Sequence, residues 1–113
     1  MKLKLSRVAE NDLENIALFI ARDNARRAWS FVRDIRMQCA RLSKQPELYP
    51  QRPEVHQGMR SCAFGRYVIF FSVDEPGNRI LIHRILHSAM DIGKHLPAGS
   101  TPSMLSQDMA SYL

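Results

Sequence analysis

Hydrophobic and polar positions recur along this chain with two different periods, and the changes of period divide it into elements. Lys2 to Leu5 alternates with a period of two, which puts Leu3 and Leu5 on one face and the lysines on the other and predicts an edge strand guarded by charge. After Ser6, a ready N-cap, the period becomes helical: Leu13, Ile16, Ala17 and Ile20 fall at i, i+3, i+4 and i+7 and gather into one apolar stripe. Glu10, Asp12 and Glu14 suit the positive amino end of that helix. Asp23-Asn24 breaks it, and Asn24 offers a second N-cap. Ala28, Phe31, Val32, Ile35, Cys39 and Leu42 then continue as a long stripe until Gln45-Pro46 stops the helix. Two antiparallel helices are expected.

Pro46 to Gly58 holds three prolines, no periodicity and one basic residue, Arg52, and reads as a surface connection. Three runs rich in β-branched and aromatic residues follow: Met59 to Phe64, Arg66 to Val73 and Arg79 to His87, punctuated by Gly65 and Pro76-Gly77. Tyr67 to Val73 is apolar on both faces, as a central strand is, and Asp74-Glu75-Pro76-Gly77-Asn78 has the composition of a hairpin loop. Ser88 to Leu96 predicts a short helix interrupted at Gly93. Pro97 to Ser103 reads as flexible linker, with Met104, Leu105, Met109, Tyr112 and Leu113 as a docking patch in the tail. The expected class is α+β in the order β-α-α-β-β-β, a helical hairpin packed on a small, mainly antiparallel sheet. One domain is expected over residues 1–96, with a tail over 97–113.

A chain of 113 residues is one domain with a single core. The formal charge of +5 makes an anionic partner plausible: nucleic acid, a nucleic-acid-bound protein or an acidic polypeptide. Cys39 and Cys62 lack metal-like spacing and read as buried, reduced thiols. The amino terminus lacks the continuous apolar stretch of a signal peptide, and no run approaches the roughly 20 apolar residues of a membrane span, so a cytoplasmic location is expected. The helical hairpin carries Arg22, Arg26, Arg27, Arg33, Arg36, Arg41 and Lys44 toward its outer faces. A solvated, partly salt-bridged face and a nucleic-acid contact surface both fit that pattern.

Candidate chemistry is sparse. His83 and His87 have helical ligand spacing, but on a strand they lie ~13 Å apart, too far for one ion, so no metal and no other cofactor is expected. No serine sits in a Gly-x-Ser-x-Gly setting, and there is no glycine-rich phosphate loop. Metal-free RNA cleavage needs a base, an acid and cations for the phosphorane. Arg60, Arg66, Arg84, His87 and Lys94 could supply cations and a base, but Tyr67 and Tyr112 are poorly placed as acid. Arg84 stands between Ile82 and Leu86, and if it shares their face it requires a carboxylate, a carbonyl or a ligand.

Asp12-Leu13-x-x-Ile16, Ala28-x-x-Phe31, Pro46, Gly58-Met59-Arg60, Tyr67-Val68-Ile69-Phe70-Phe71 and Arg84-Ile85-Leu86-His87, taken with the order of elements, resemble the RelE/ParE toxin superfamily, and more narrowly its ParE branch. The likeness runs from Met1 to about Leu96. It implies the toxic half of a type II toxin-antitoxin pair, neutralised by a ParD-like antitoxin in a heterotetramer or larger assembly. It further implies a non-enzymatic poison of DNA gyrase that meets operator DNA only through the antitoxin and has no membrane role. Arg60, Arg66, Arg84, His87 and Lys94 become the expected target contacts, and Phe19, Arg22, Arg26, Trp29, Arg33 and Arg36 the expected antitoxin contacts. The RelE branch, which cuts mRNA on the ribosome, carries a tyrosine and an arginine after its last strand. Here that segment is Ser88-Ala89-Met90-Asp91, which disfavours the ribonuclease alternative. ParE relatives often place an arginine where this chain has Met90, and the tail extends past the usual family end.

Overall fold

Two side-chain caps start the two helices. In the computed structural model, which describes residues 2–74 and 78–89, α1 (Arg7–Ala21) begins at Ser6, whose Oγ accepts the Ala9 N–H at 2.9 Å. The second helix, α2 (Ala25–Leu42), begins at Asn24, whose Oδ1 accepts the Arg27 N–H at 2.9 Å. Each cap satisfies one of the orphan donors of a helix start. The stripes face inward as the periodicity requires: Ala9 and Leu13 of α1 and Phe31, Ile35, Cys39 and Leu42 of α2 are buried in one cluster, with Ile16, Ile20 and Val32 packed against it.

The strands are β1 (Lys2–Leu5), β2 (Arg60–Phe64), β3 (Tyr67–Asp74) and β4 (Arg79–His87), joined in one sheet of order β1-β4-β3-β2. The last three form an antiparallel meander, and β1 adds to β4 in parallel. Phe64 faces Tyr67 across a two-residue loop, Gly65-Arg66, and Gly65 takes φ 59°, a left-handed conformation suited to the first position of such a hairpin. The helices cover one face of the sheet through Ile69, Phe71, Ile80, Ile82 and Ile85. The opposite face carries a smaller cluster of Met59, Phe70 and Leu86, with Val55 and Val68 against it.

A break in register controls β4. Phe70 faces Arg84 while Phe71 faces Ile82, so His83 is an extra residue on that strand. One inserted residue reverses which parity points inward. Ile80 and Ile82 lie in the helix-side cluster, but beyond His83 it is Ile85 that joins them, and Leu86 goes to the other face. Helix α1 is clamped to this irregularity. The Ser6 N–H donates to the Ile82 carbonyl at 2.9 Å, and the Ser6 hydroxyl donates to the His83 carbonyl at 3.0 Å. Asp12 accepts a forked pair from Arg84, Nε to Oδ2 at 2.8 Å and Nη2 to Oδ1 at 2.7 Å, and its Oδ2 also accepts the Ile85 N–H at 3.0 Å.

Three expectations change as a result. Asp12 does not complement the helix dipole from the surface but is buried, and Glu10 is the acid exposed in the first turn, where it meets Arg36 at 3.1 Å. Arg84 does not share a face with both Ile82 and Leu86, because the bulge sends those two to opposite clusters. Only 7% exposed, it commits its guanidinium to Asp12 and is an internal strut rather than a surface cation. The connection from Pro46 forms a single 3₁₀ turn (Pro46–Leu48) and then a strap over the second face, with Val55 packed into the smaller cluster. The expected short helix from Ser88, Lys94 and the tail fall on or run into residues outside those described.

Removing one partner of a buried forked pair strands the other's charge, at a cost of about 3–5 kcal/mol. Asp12→Ala is therefore expected to lower the urea midpoint of unfolding by that amount. Asp12→Ala combined with Arg84→Met should recover most of the loss, and a double variant no more stable than the single one would contradict the assignment.

Candidate interaction surfaces

On α2 the residues opposite the buried stripe are Arg26, Trp29, Arg33, Arg36 and Met37, whose spacings of three and four bring them onto one outward face. Trp29 is 70% exposed and Met37 53%, an unusual load of apolar surface for the outer side of a helix. On α1 the corresponding group is Leu18 and Phe19, 60% and 63% exposed, beside Arg22 just past the helix end. Phe19 follows Asp12 by two turns and lies near its azimuth, yet α1 continues past the strand that buries Asp12, and Phe19 is left uncovered.

Both aromatics are stacked by arginine. The Arg22 guanidinium lies 5.9 Å from the Phe19 ring centre, and that of Arg33 6.0 Å from Trp29. A stacked guanidinium keeps its N–H edges available to carboxylates while it shields part of the ring. Arg33 also meets Asp34 at 3.1 Å, and Arg36 meets Glu10; both pairs are about half exposed and cost little to exchange for a partner's acids. All six residues expected to touch an antitoxin, Phe19, Arg22, Arg26, Trp29, Arg33 and Arg36, are thus exposed on the helical hairpin.

The sheet cations are not brought together. Arg60 is half-buried at the start of β2, with Nη1 donating to the Tyr49 carbonyl at 2.7 Å. Arg66 and His87 lie at the other end of the sheet, next to one another through the Ser88 N–H to Arg66 carbonyl bond of 2.8 Å. There an aromatic row runs from Phe64 through Phe31 to Tyr67 and His87, each contact edge-on at 5.3–5.6 Å between ring centres. The His87 Nδ1 accepts the Ala89 N–H at 3.0 Å, so its Nε2 is the proton-bearing nitrogen of the neutral ring. From the row of Arg60 to that of His87 is a distance of four residues along β2, ~13 Å.

A group that sequence reasoning missed lies on the face away from the helices. The Ser72 hydroxyl and His83 Nε2 are 2.7 Å apart, and burial, then the nearby His56, push the His83 pKa down. His83 attracted attention only as a partner for His87; the strap that brings His56 toward it leaves no periodic signal. Among the described residues no group of three or more His, Cys, Asp or Glu could hold a metal ion, and no helix is long and apolar enough to cross a membrane. Both cysteines are free and buried, and burial above all pushes the Cys39 thiol up to about 11. Such a thiol is inert.

With this geometry established, the chain was compared with known proteins. A family model described as "ParE toxin of type II toxin-antitoxin system, parDE" matches residues 3–92. Toxin ParE1 of Caulobacter vibrioides is 30% identical over 94 residues, which is 82% of this chain and 95% of that protein. Among solved structures, the chromosomal ParDE toxin-antitoxin system of P. aeruginosa superposes with a TM-score of 0.65 at 28% identity, over 77% of this chain and 95% of that one. The RelBE2 toxin-antitoxin complex of Mycobacterium tuberculosis shares the fold, with a TM-score of 0.59 at 17% identity over 76% of this chain and 95% of that one.

The thiol analysis yields a pH dependence. The Cys39 pKa is raised in the fold from the usual 9.0 to about 11, so its contribution is fully present below 9.0 and is lost as pH rises from 9.0 through 11. Cys39→Ala removes this term, and its stability is expected to fall less steeply over that alkaline window when denaturation midpoints are compared with those of the unaltered chain.

Proposed function

The chain belongs to the ParE toxin family of type II toxin-antitoxin systems, and on that footing we propose that it is neutralised by a ParD-like antitoxin and, when released, acts by gripping DNA gyrase rather than by cutting RNA. The carrying observation is the dispersal of the sheet cations. Arg84 is locked on Asp12, Arg60 is tied to a backbone carbonyl, and Arg66 and His87 stand at the far end. Phosphoryl-transfer chemistry needs donors converging on one oxyanion and an acid beside them. Gripping another protein needs only shape and charge at separate points. Arg66 and His87 are the described residues best placed for the target; Arg84 contributes by holding β4 in shape.

The antitoxin reading rests on the exposed face of the hairpin. A segment that is disordered alone and folds on contact could cover Phe19 and Trp29 while its acids replace Asp34 and Glu10 on Arg33 and Arg36. ParD-like partners bring operator binding with them, so this chain would reach DNA through the complex.

Two measurements test these statements. Induction of the chain in bacteria should produce an SOS response and DNA breaks with intact transcripts, and Arg66→Ala and His87→Ala should weaken that response; codon-phased cuts in mRNA would overturn the inhibitor reading. In calorimetry against the cognate antitoxin, Trp29→Ala and Phe19→Ala should each weaken binding about tenfold or more, as buried aromatic anchors do, while leaving the unfolding midpoint of the free chain nearly unchanged. Unaltered affinity in both variants would move the antitoxin off this face.

A further inference from the structure

The strap from Pro50 to Gly58 is attached to the second sheet face by few contacts. The Arg52 N–H donates to the Met59 carbonyl at 2.7 Å and the Ser61 N–H to the Pro50 carbonyl at 3.1 Å. The Arg52 guanidinium reaches Ser61 Oγ at 3.2 Å and lies 5.7 Å from the Phe70 ring centre. Val55 supplies the packing, against Met59, Phe70 and Leu86. Beneath the strap sits His83, the extra residue of β4, hydrogen-bonded to Ser72 and near His56 of the strap itself.

We propose that this strap is a proton-released lid, closed over the Met59–Phe70–Leu86 cluster while His83 and His56 are neutral and opened when both imidazoles are protonated. Neutral His83 suits its site: the Ser72 hydroxyl adapts to either ring tautomer, and the ring needs no counter-charge. Protonated His83 is a buried cation facing a second cation on the strap.

The surrounding charges do not relieve it. From the strap come Arg52 and Glu54, bonded to each other at 2.6 Å, and from β3 and β4 come Asp74 and Arg79, paired at 3.0 Å. On β1, Lys2 and Lys4 alternate with the core-facing leucines and pair in register with Arg79 and Leu81, so they add positive charge to this face. The bulge itself is held from the helix side by Ser6 and Asp12. The weaker partner yields, and that is the strap.

The sign follows from the downward shift. The folded chain favours neutral His83, so the stabilisation of the closed state is complete above the unfolded value of 6.5 and is lost as pH falls through 6.5 toward the lower folded value.

The test is amide exchange followed by NMR on the full chain, corrected for intrinsic rates. Between pH ~7.5 and ~5.5 the amides of Arg52, Val55, His56 and Met59 should lose about tenfold in protection while those of β3 and β4 keep theirs. In His83→Gln, which retains a partner for Ser72 and does not titrate, strap protection should be independent of pH. His56→Gln, a change on the strap that leaves the sheet untouched, should roughly halve the logarithmic loss and serves if the first variant fails to fold. Strap protection that is flat with pH in the unaltered chain, or that falls equally in either variant, would overturn the proposal.

Discussion

The forked bond between Asp12 and Arg84 is the contact on which the rest of the arrangement turns. Its partners lie 72 residues apart in sequence, one on the first helix and one on the last strand, and both are almost removed from water. Neither charge is tolerable there alone. The carboxylate also takes the Ile85 N–H, so it holds the backbone of β4 at the one place where the ladder is broken. Helix, strand and bulge are therefore fixed together, and the apolar parity of β4 on either side of His83 depends on it.

That parity explains why a small sheet has two clusters. Had β4 run without an extra residue, strict alternation would have carried Ile80, Ile82, Arg84 and Leu86 to one side, and an arginine would stand in the middle of the helix-side core. The bulge places Ile85 there instead and gives Leu86 to the opposite face, where Met59 and Phe70 wait under the strap. A face that in a solvated sheet would be polar is thereby apolar enough to need a cover.

Much of this was legible in the sequence, and the exceptions share a cause. Ser6 and Asn24 as caps, the stripes through Leu13 and Ile35, the central strand Tyr67 to Val73 and the edge strand with its lysines all follow from local periodicity. Asp12 was misplaced because an acid in the first turns of a helix fits the dipole equally well, and nothing nearby in sequence reveals Arg84. The bulge is invisible to a period-two reading, since each half of β4 alternates correctly. The strap has no period at all; only its contact with Phe70 through Arg52 and Val55 reveals its place. On the outer face of the hairpin, the arginines could be read from the sequence, but their stacking on Phe19 and Trp29 depends on side-chain geometry.

Those stacks bear on a conflict any toxin of this kind must resolve. A face that binds a partner tightly must present apolar area, and exposed apolar area also promotes self-association. Laying Arg22 over Phe19 and Arg33 over Trp29 hides part of each ring behind a cation, and a second copy approaching the same face would bring arginine against arginine. An acidic partner meets the opposite situation, because its carboxylates bond the guanidinium edges and its apolar side chains cover the rings. The same residues thus oppose like chains and favour an unlike, anionic one. This discrimination requires no change in the core, since the interior charge is already settled between Asp12 and Arg84. The outer arginines are left for recognition, and that division between an internal arginine that fixes the fold and external ones that choose a partner is what a small basic chain needs in order to be both well folded and readily neutralised.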